Sequence, residues 1–280
     1  MTIGILYIVA TPIGNLNDIT LRAIDVLKQV DVIAAEDTRH SKKLLDHYGI
    51  DTKLMAVHDH NEDDRIHSLL GLLQGGQSVA LISDAGTPLI SDPGFRVVRA
   101  MQQTGIEVVS IPGPCAAIAA LSIAGLPTDR FLFVGFLSAK QKARQGELES
   151  LLAETATLVF YESPKRILST LEDVVTVMGA DRMVSVVKEI TKSFETVKTL
   201  SAAEALSWLQ EDQHHTRGEF VLLVQGAEEN GDLVIDPKVM RALQMTAEYM
   251  PLKKACGVVS ELTGIAKNAL YDAALAQNKG

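Results

Sequence analysis

Five short apolar runs, at residues 5–9, 31–34, 54–57, 78–82 and 107–111, alternate with stretches of helical periodicity near 20–29, 39–47, 62–73, 93–103 and 115–124. That alternation restricts the first 125 residues to a βα repeat, because parallel strands need helical crossovers and uniformly apolar runs are strands buried on both faces. The expectation is a mostly parallel sheet with helices on both sides. Gly125-Leu126-Pro127 breaks the pattern and reads as a linker. From Phe131 the chain restarts with Phe131-Leu132-Phe133-Val134, a charged helix near 141–153, Leu158-Val159-Phe160-Tyr161 and a helix beginning at Pro164. Strands near 183–187, 194–199 and 219–224 complete a second α/β domain, and the first two of these are close enough to form a hairpin, so its sheet is expected to be mixed. Residues 226–236 are polar and turn-rich, as a linker is. Beyond them, 237–248, 252–262 and 265–276 read as helices, the last two separated by Thr263-Gly264. The expected domains are 1–126, 127–228 and a helical appendage at 237–280.

Charge narrows the function. The net charge of −9 argues against a protein that coats nucleic acid nonspecifically. Residues 237–280, however, hold six Lys or Arg and three acids, a balance of +3, which leaves −12 for the preceding 236 residues. A basic tail of short helices around a Gly-containing turn suits contact with RNA or DNA, and equally a helical cap on the main body. Cys115 and Cys256 have no metal or redox spacing, which fits a reducing cytosol. The apolar run from Cys115 to Pro127 is too short to span a bilayer, and Ile3 to Ala10 has no preceding Lys or Arg, so it reads as a strand and not as a signal peptide.

The loop at 83–94, Ser-Asp-Ala-Gly-Thr-Pro-Leu-Ile-Ser-Asp-Pro-Gly, follows an apolar strand and precedes a helix. It is longer than the about 2–6 residues of an ordinary βα connection and lies where α/β sheets bind ligands, beyond a strand's carboxyl end. Residues 10–20 follow the first strand with one glycine where a dinucleotide fingerprint needs three, so a nicotinamide or flavin dinucleotide site is not expected there. Glu36-Asp37-Thr38-Arg39 ends the second strand. Pro112-Gly113-Pro114-Cys115-Ala116-Ala117 opens an Ala-rich helix whose small side chains let a ligand reach backbone amides. Tyr161-Glu162-Ser163-Pro164-Lys165-Arg166 sets a carboxylate and two cations beside a strand end. His58-Asp59-His60-Asn61 and His214-His215 have no known metal spacing, and no metal is expected.

Taken in order, Tyr7–Thr20, Ala35–Arg39, the 83–94 loop, Pro112–Cys115, Tyr161–Arg166 and Gly218-Glu-Phe-Val221 resemble the branch of the tetrapyrrole-methylase superfamily that acts on small-subunit ribosomal RNA. The resemblance covers essentially the whole chain. It implies two α/β domains with S-adenosylmethionine in the cleft between them, a helix-turn-helix-like appendage, a homodimer in the cytoplasm, and methylation of a cytidine 2′-hydroxyl in 16S rRNA. Carried over position by position, it implies cofactor contacts at Ile13, Asp84, Leu89, Cys115, Ala116, Tyr161 and Gly218. The 83–94 loop replaces the Gly-Asp-Pro pattern of the corrin and porphyrin enzymes, and those enzymes lack the basic appendage; both departures point toward RNA. Arg39, Lys165 and Arg166 at the cleft rim and Lys253, Lys254 and Lys267 in the tail are the expected RNA contacts. Asp37 and Glu162 are the candidate bases, and each is equally able to serve as structural partner of Arg39 or Arg166. Two other readings stay open: a methyltransferase for a small tetrapyrrole-like acid, and a noncatalytic RNA-binding protein.

Overall fold

The computed structural model describes residues 3–58, 62–228, 235 and 237–277. Residues 1–151 and 156–225 form one compact unit, which contains two five-stranded sheets; residues 152–155 and 226–280 form a second. In the first sheet, β1 (Ile5–Val9), β2 (Val32–Ala35), β3 (Lys53–Ala56), β4 (Val79–Ile82) and β5 (Glu107–Ile111) are all parallel, in the order β3-β2-β4-β1-β5. Period-two alternation sorts their side chains: Val9, Ile33, Ala35, Ala80 and Ile82 pack under α1 (Leu21–Gln29) and α2 (Thr38–His47). Leu6, Val32, Ala34, Val79 and Leu81 pack under α3 (Glu62–Gln74) and α4 (Phe95–Gln103) on the other face. Burial on both faces is why the central β2 and β4 are apolar throughout, while the edge strands β3 and β5 admit exposed Lys53, Glu107 and Ser110; helices lie on both faces of the sheet, as expected.

The second sheet is mixed. Its order is β6 (Phe131–Phe136), β7 (Thr157–Glu162), β10 (Phe220–Val224), β8 (Met183–Lys188) and β9 (Thr196–Ser201); only β6 and β7 run parallel, and β8 and β9 are the expected hairpin. One face packs against α6 (Gln141–Ser150), α7 (Ile167–Met178) and α8 (Ala202–Glu211) around Phe160, Leu171, Val186 and Leu222. The other is covered by α5 (Ala116–Ile123), whose Ala117, Ala120 and Leu121 lie on Val159, Val187, Val221 and Leu223. The alanines let this helix sit close to the strands.

Two local expectations change. Pro164 does not open a helix: the Arg166 and Ile167 amides both donate to Ser163 O at 3.0 Å, so 163–166 is a turn and α7 starts at Ile167. Helix α8 is an addition to the expected elements, although Ser201 and Glu204 form a reciprocal capping box that the sequence displays as Ser-x-x-Glu.

In the second unit, α9 (Pro237–Ala247), α10 (Leu252–Thr263) and α11 (Lys267–Gln277) pack around Leu243, Ala255, Cys256, Val259 and Leu270. Gly264 ends α10 in the left-handed conformation, φ 74°, and its amide donates to Ser260 O at 2.8 Å. Among the described residues no helix is long and apolar enough to cross a membrane.

Candidate active site

The carboxyl ends of the first sheet's strands carry loops that are bonded to one another. Thr11 and Gly86 exchange backbone hydrogen bonds of 2.9 and 3.0 Å, joining the loops after β1 and β4. Thr87 Oγ1 donates to Pro114 O at 2.9 Å, which adds the loop after β5. The Asp37 amide donates to Asp84 Oδ1 at 3.0 Å, which adds the loop after β2. Four connections thus become one floor. Above it stands the end of the second sheet where β7 leaves and β10 enters, with Tyr161 opposite Val221 and Glu162 opposite Phe220.

Between floor and wall lies a cleft of about 420 Å³, within the ~300–1,000 Å³ usual for ligand sites. The first sheet contributes Ile13, Glu36, Asp84 and Gly86, the start of α5 contributes Cys115 and Ala116, and the second sheet contributes Tyr161, Glu219 and Val221. Its acids are Glu36, Asp84, Asp92, Glu162 and Glu219, and no lysine or arginine among the described residues lines it. Arg166 and Lys192 pair with Glu162 and Glu219 from outside the lining, so what the cleft itself presents is a set of carboxylate acceptors.

Backbone strain gathers on this cleft. Leu89 and Ser91 take φ of 73° and 66° within the 83–94 loop; Glu189 and Thr191 take 53° and 65° in the loop after β8, and Ile190 between them lines the cleft. Left-handed non-glycine residues cost about 1–3 kcal/mol each and persist where surrounding bonds over-determine them. In the 189–195 loop those bonds are explicit: Lys192 Nζ reaches Glu189 Oε1 at 2.9 Å and Glu219 Oε2 at 2.8 Å, and the Glu219 amide donates to Glu189 Oε1 at 2.9 Å. Thr191 Oγ1 donates to Asp18 in the loop after β1, and a side chain at Gly14 would collide with the Lys192 stem at 2.7 Å. The 189–195 loop of the second sheet is therefore latched onto the first sheet's leading loop.

Of the expected cofactor contacts, Ile13, Asp84, Cys115, Ala116 and Tyr161 line the cleft. Burial, and secondarily the nearby Cys115, pushes the Tyr161 phenol well above its ordinary pKa, and its oxygen accepts the Ala117 amide at 3.2 Å. Leu89 does not line it: its strained backbone turns the side chain into the core under α4, against Gly94. Gly218 is one residue removed from the wall. At φ 96°, its role is close packing, since a Cβ there would lie 2.5 Å from Glu189 Cγ.

The two candidate bases make the structural partnerships that the sequence left open for them, with Arg39 and Arg166. The Asp37 carboxylate pairs with the exposed Arg39 guanidinium at 3.3 Å and caps α2 by accepting the Arg39 amide at 2.8 Å; the guanidinium first, and then the amide, hold it below the usual carboxylate range. It is not among the cleft residues. Glu162 borders the cleft but is spent on structure: Oε2 accepts Thr170 Oγ1 at 2.6 Å, Oε1 accepts the Ser163 amide at 2.8 Å, and Arg166 Nε lies 3.3 Å away. Arg166 in turn donates to Leu137 O at 2.6 Å, so it stitches the β6–α6 connection and is not a free rim cation. Lys165 is exposed. Asp59, His60 and Asn61 lie outside the described residues.

Sequence reasoning misses Ser91, Asp92, Ile190 and Glu219. The signal for Asp92 is present in the 83–94 loop; nothing local marks Ile190, which depends on the latch.

A fold with its ligand cleft at the carboxyl ends of one sheet and the rim of another defines a class, and the comparisons agree with it. Residues 5–206 match the model of the Tetrapyrrole (Corrin/Porphyrin) Methylases, and 234–278 match the RsmI C-terminal HTH domain. The chain belongs to the tetrapyrrole methylase family, and it is a methyltransferase. Within that family it groups with proteins named ribosomal RNA small subunit methyltransferase I: it is 54% identical to that of Pasteurella multocida over 96% of this chain and 95% of the relative. It is 52% identical to that of Escherichia coli O157:H7 over 98% and 96%. Among solved structures, the methyltransferase CobJ superposes with a TM-score of 0.60 at 18% identity, covering 80% of this chain and 95% of that one. Uroporphyrin-III-C-methyltransferase from Thermus thermophilus gives 0.57 at 21%, covering 79% and 94%.

Proposed function

We propose that the protein methylates a cytidine 2′-hydroxyl in 16S rRNA of the small ribosomal subunit, with S-adenosylmethionine as methyl donor, in the cytoplasm. The observation that carries the cofactor assignment is the cleft's acid-bearing lining. A ligand with ammonium, ribose and amino donors suits a lining that presents carboxylate acceptors, Asp84 among them, and no lysine or arginine among the described residues. Asp84 and Glu36 on the floor and the Cys115–Ala116 turn would hold it. When bound it supplies an activated methyl group.

The protein's remaining tasks are alignment and proton removal. The bonded floor and the latched 189–195 loop fix the geometry of the site before substrate arrives. For the proton we assign Asp84 in place of Asp37 and Glu162: its Oδ1 holds the Asp37 amide, and its Oδ2 has no hydrogen bond among the described residues. RNA as substrate is supported by the names of the full-length relatives and by α10, where Lys253 and Lys254 stand exposed in the first turn. The helix dipole disfavours cations there, so a phosphate ligand gives their placement a reason. A homodimer is supported by exposed Phe95 and Ile118 on the larger unit, which sedimentation should register as twice the chain mass.

The test is methyl transfer from labelled S-adenosylmethionine to small subunits from a strain lacking the gene, followed by mass spectrometry of the rRNA. One new ribose-methylated cytidine is expected. Transfer only to tetrapyrrole acids, or none to subunits, overturns the assignment.

A further inference from the structure

A second cavity, of about 240 Å³, shares Asp84 with the cofactor cleft. It is a slot between the loop after β1 and the side of α2. Pro12, Leu16, Leu44 and Ile82 make its apolar walls, and His40 and Lys43 stand at its exposed edge. Tyr48 Oη donates to Leu16 O at 2.6 Å, which holds the loop against the helix and keeps the slot formed. Ser41 lines it: the residue is 3% exposed, and its Oγ is buried without a hydrogen-bond partner among the described residues. Buried polar atoms in native proteins are almost always paired, so an orphaned hydroxyl beside a cavity is a mark of a missing ligand or water.

The two cavities differ in their charged lining and have one acid in common. Among the described residues the larger is lined by acids and by no lysine or arginine; the smaller sets Lys43 and His40 against the single carboxylate they share, Asp84. Neither Lys43 nor His40 is engaged in an ion pair among the described residues. Lys43, exposed at the slot's edge, offers a phosphate a cation that the lining of the first cavity lacks among the described residues. Flat apolar walls with a hydroxyl beneath and cations at the edge fit a nucleobase and its phosphate, and the volume, below the ~300 Å³ of a whole drug-sized site, allows one nucleotide and no more.

We infer that this slot is the subsite for the nucleotide to be methylated, with Lys43 on its phosphate, Ser41 on its base and its ribose at Asp84, the residue common to both cavities, where the 2′-oxygen meets the methyl donor. The inference rests on the rRNA reading above and gives that reading a substrate pocket.

The experiment uses the full-length protein, small subunits lacking the modification, and three variants: K43A, K43R and S41A. Folding is checked by thermal melts; Lys43 is exposed, so K43A keeps the test open even if S41A unfolds. Initial rates give KM and kcat for subunits, filter binding gives subunit affinity without turnover, and calorimetry gives cofactor affinity. K43A should raise the subunit KM and Kd about tenfold, the loss of one charge-assisted hydrogen bond, and S41A about threefold to tenfold. K43R should recover most of the loss, with kcat and cofactor affinity within about twofold of the parent throughout. Parental KM and Kd for subunits in both alanine variants overturn the subsite, as does an equal loss of cofactor affinity, which would make the slot part of the first cleft. A parent that neither binds nor methylates subunits overturns the rRNA reading itself, and the subsite with it.

Discussion

Replacing Gly218 by alanine tests whether the cleft wall is built the way its packing indicates. The new Cβ would lie 2.5 Å from Glu189 Cγ and 2.6 Å from its Cδ and Oε1, so the Glu189 side chain must leave. With it go the bond from the Glu219 amide and the bridge to Lys192. A non-glycine residue in left-handed backbone costs about 1–2 kcal/mol, and a broken hydrogen bond to a charged group about 1.5–3 kcal/mol. The expected destabilisation is their sum, about 2.5–5 kcal/mol, read by urea unfolding at pH 7. Gly105→Ala separates the two contributions, because φ there is 76° but nothing lies within 4 Å of the added carbon; it should cost only the backbone part. Linkage adds a second signature. Burial alone would raise the Glu189 pKa, but the Glu219 amide and the Lys192 ammonium outweigh it and hold the carboxyl below its ordinary value. A depressed carboxyl contributes stability above its unfolded pKa of about 4.3 and loses it as pH falls through the folded value. The gap between parent and variant should therefore narrow below pH ~4. Equal losses for Gly218→Ala and Gly105→Ala, or a gap that does not depend on pH, would refute the account of the latch.

D84N should lower cofactor affinity by about 1.5–3 kcal/mol in calorimetry and kcat by about 10²–10⁴-fold, while retaining the amide bond to Asp37; unchanged kcat removes Asp84 as proton acceptor. Arg144 and Asp173 form a buried pair at 2.6 Å, so R144M should cost about 3–5 kcal/mol and the double variant R144M/D173L should recover most of it; a neutral R144M would contradict this. Changing Lys253, Lys254 and Lys267 together to alanine should flatten the salt dependence of RNA binding by roughly 0.7–0.9 log unit for each phosphate no longer neutralised, and leave cofactor binding as it was; a parental slope makes the tail a structural cap.

The fold is legible in the sequence where one physical rule acts alone. The run at 78–82 is apolar because both faces of β4 are covered, and its bounds match the structure within a residue; the edge strand at 107–111 is also found where expected, although Glu107 and Ser110 are exposed. Helix α8 escapes a periodicity reading because its apolar face is short and its clearest sign is a cap, Ser201 with Glu204. The site is legible as a set of loops and less so as individual side chains. Motif position marks Asp84, Cys115 and Tyr161, but whether a loop residue faces ligand or core depends on its φ, and Leu89 at 73° turns inward. Asp37 and Glu162 look alike as acids at strand ends. What tells them from Asp84 is who else binds them, Arg39 for one and Thr170, Ser163 and Arg166 for the other, and such partnerships exist only once the chain is folded.

Helix α5 follows the last strand of the first sheet yet its buried side is the roof of the second. A cut near Gly125 would therefore not yield two self-sufficient pieces. The carboxyl-terminal fragment would expose Val159, Val187, Val221 and Leu223 to water, and the amino-terminal fragment would end in a greasy, alanine-rich helix with nothing to lie on. Such fragments should be insoluble apart and recoverable only when produced together, and the intact pair of sheets should melt in a single transition. A split version of this enzyme, or a chimaera with a related methylase, has to be joined after Ile111 and before Ala116, so that the roof travels with the sheet it shelters.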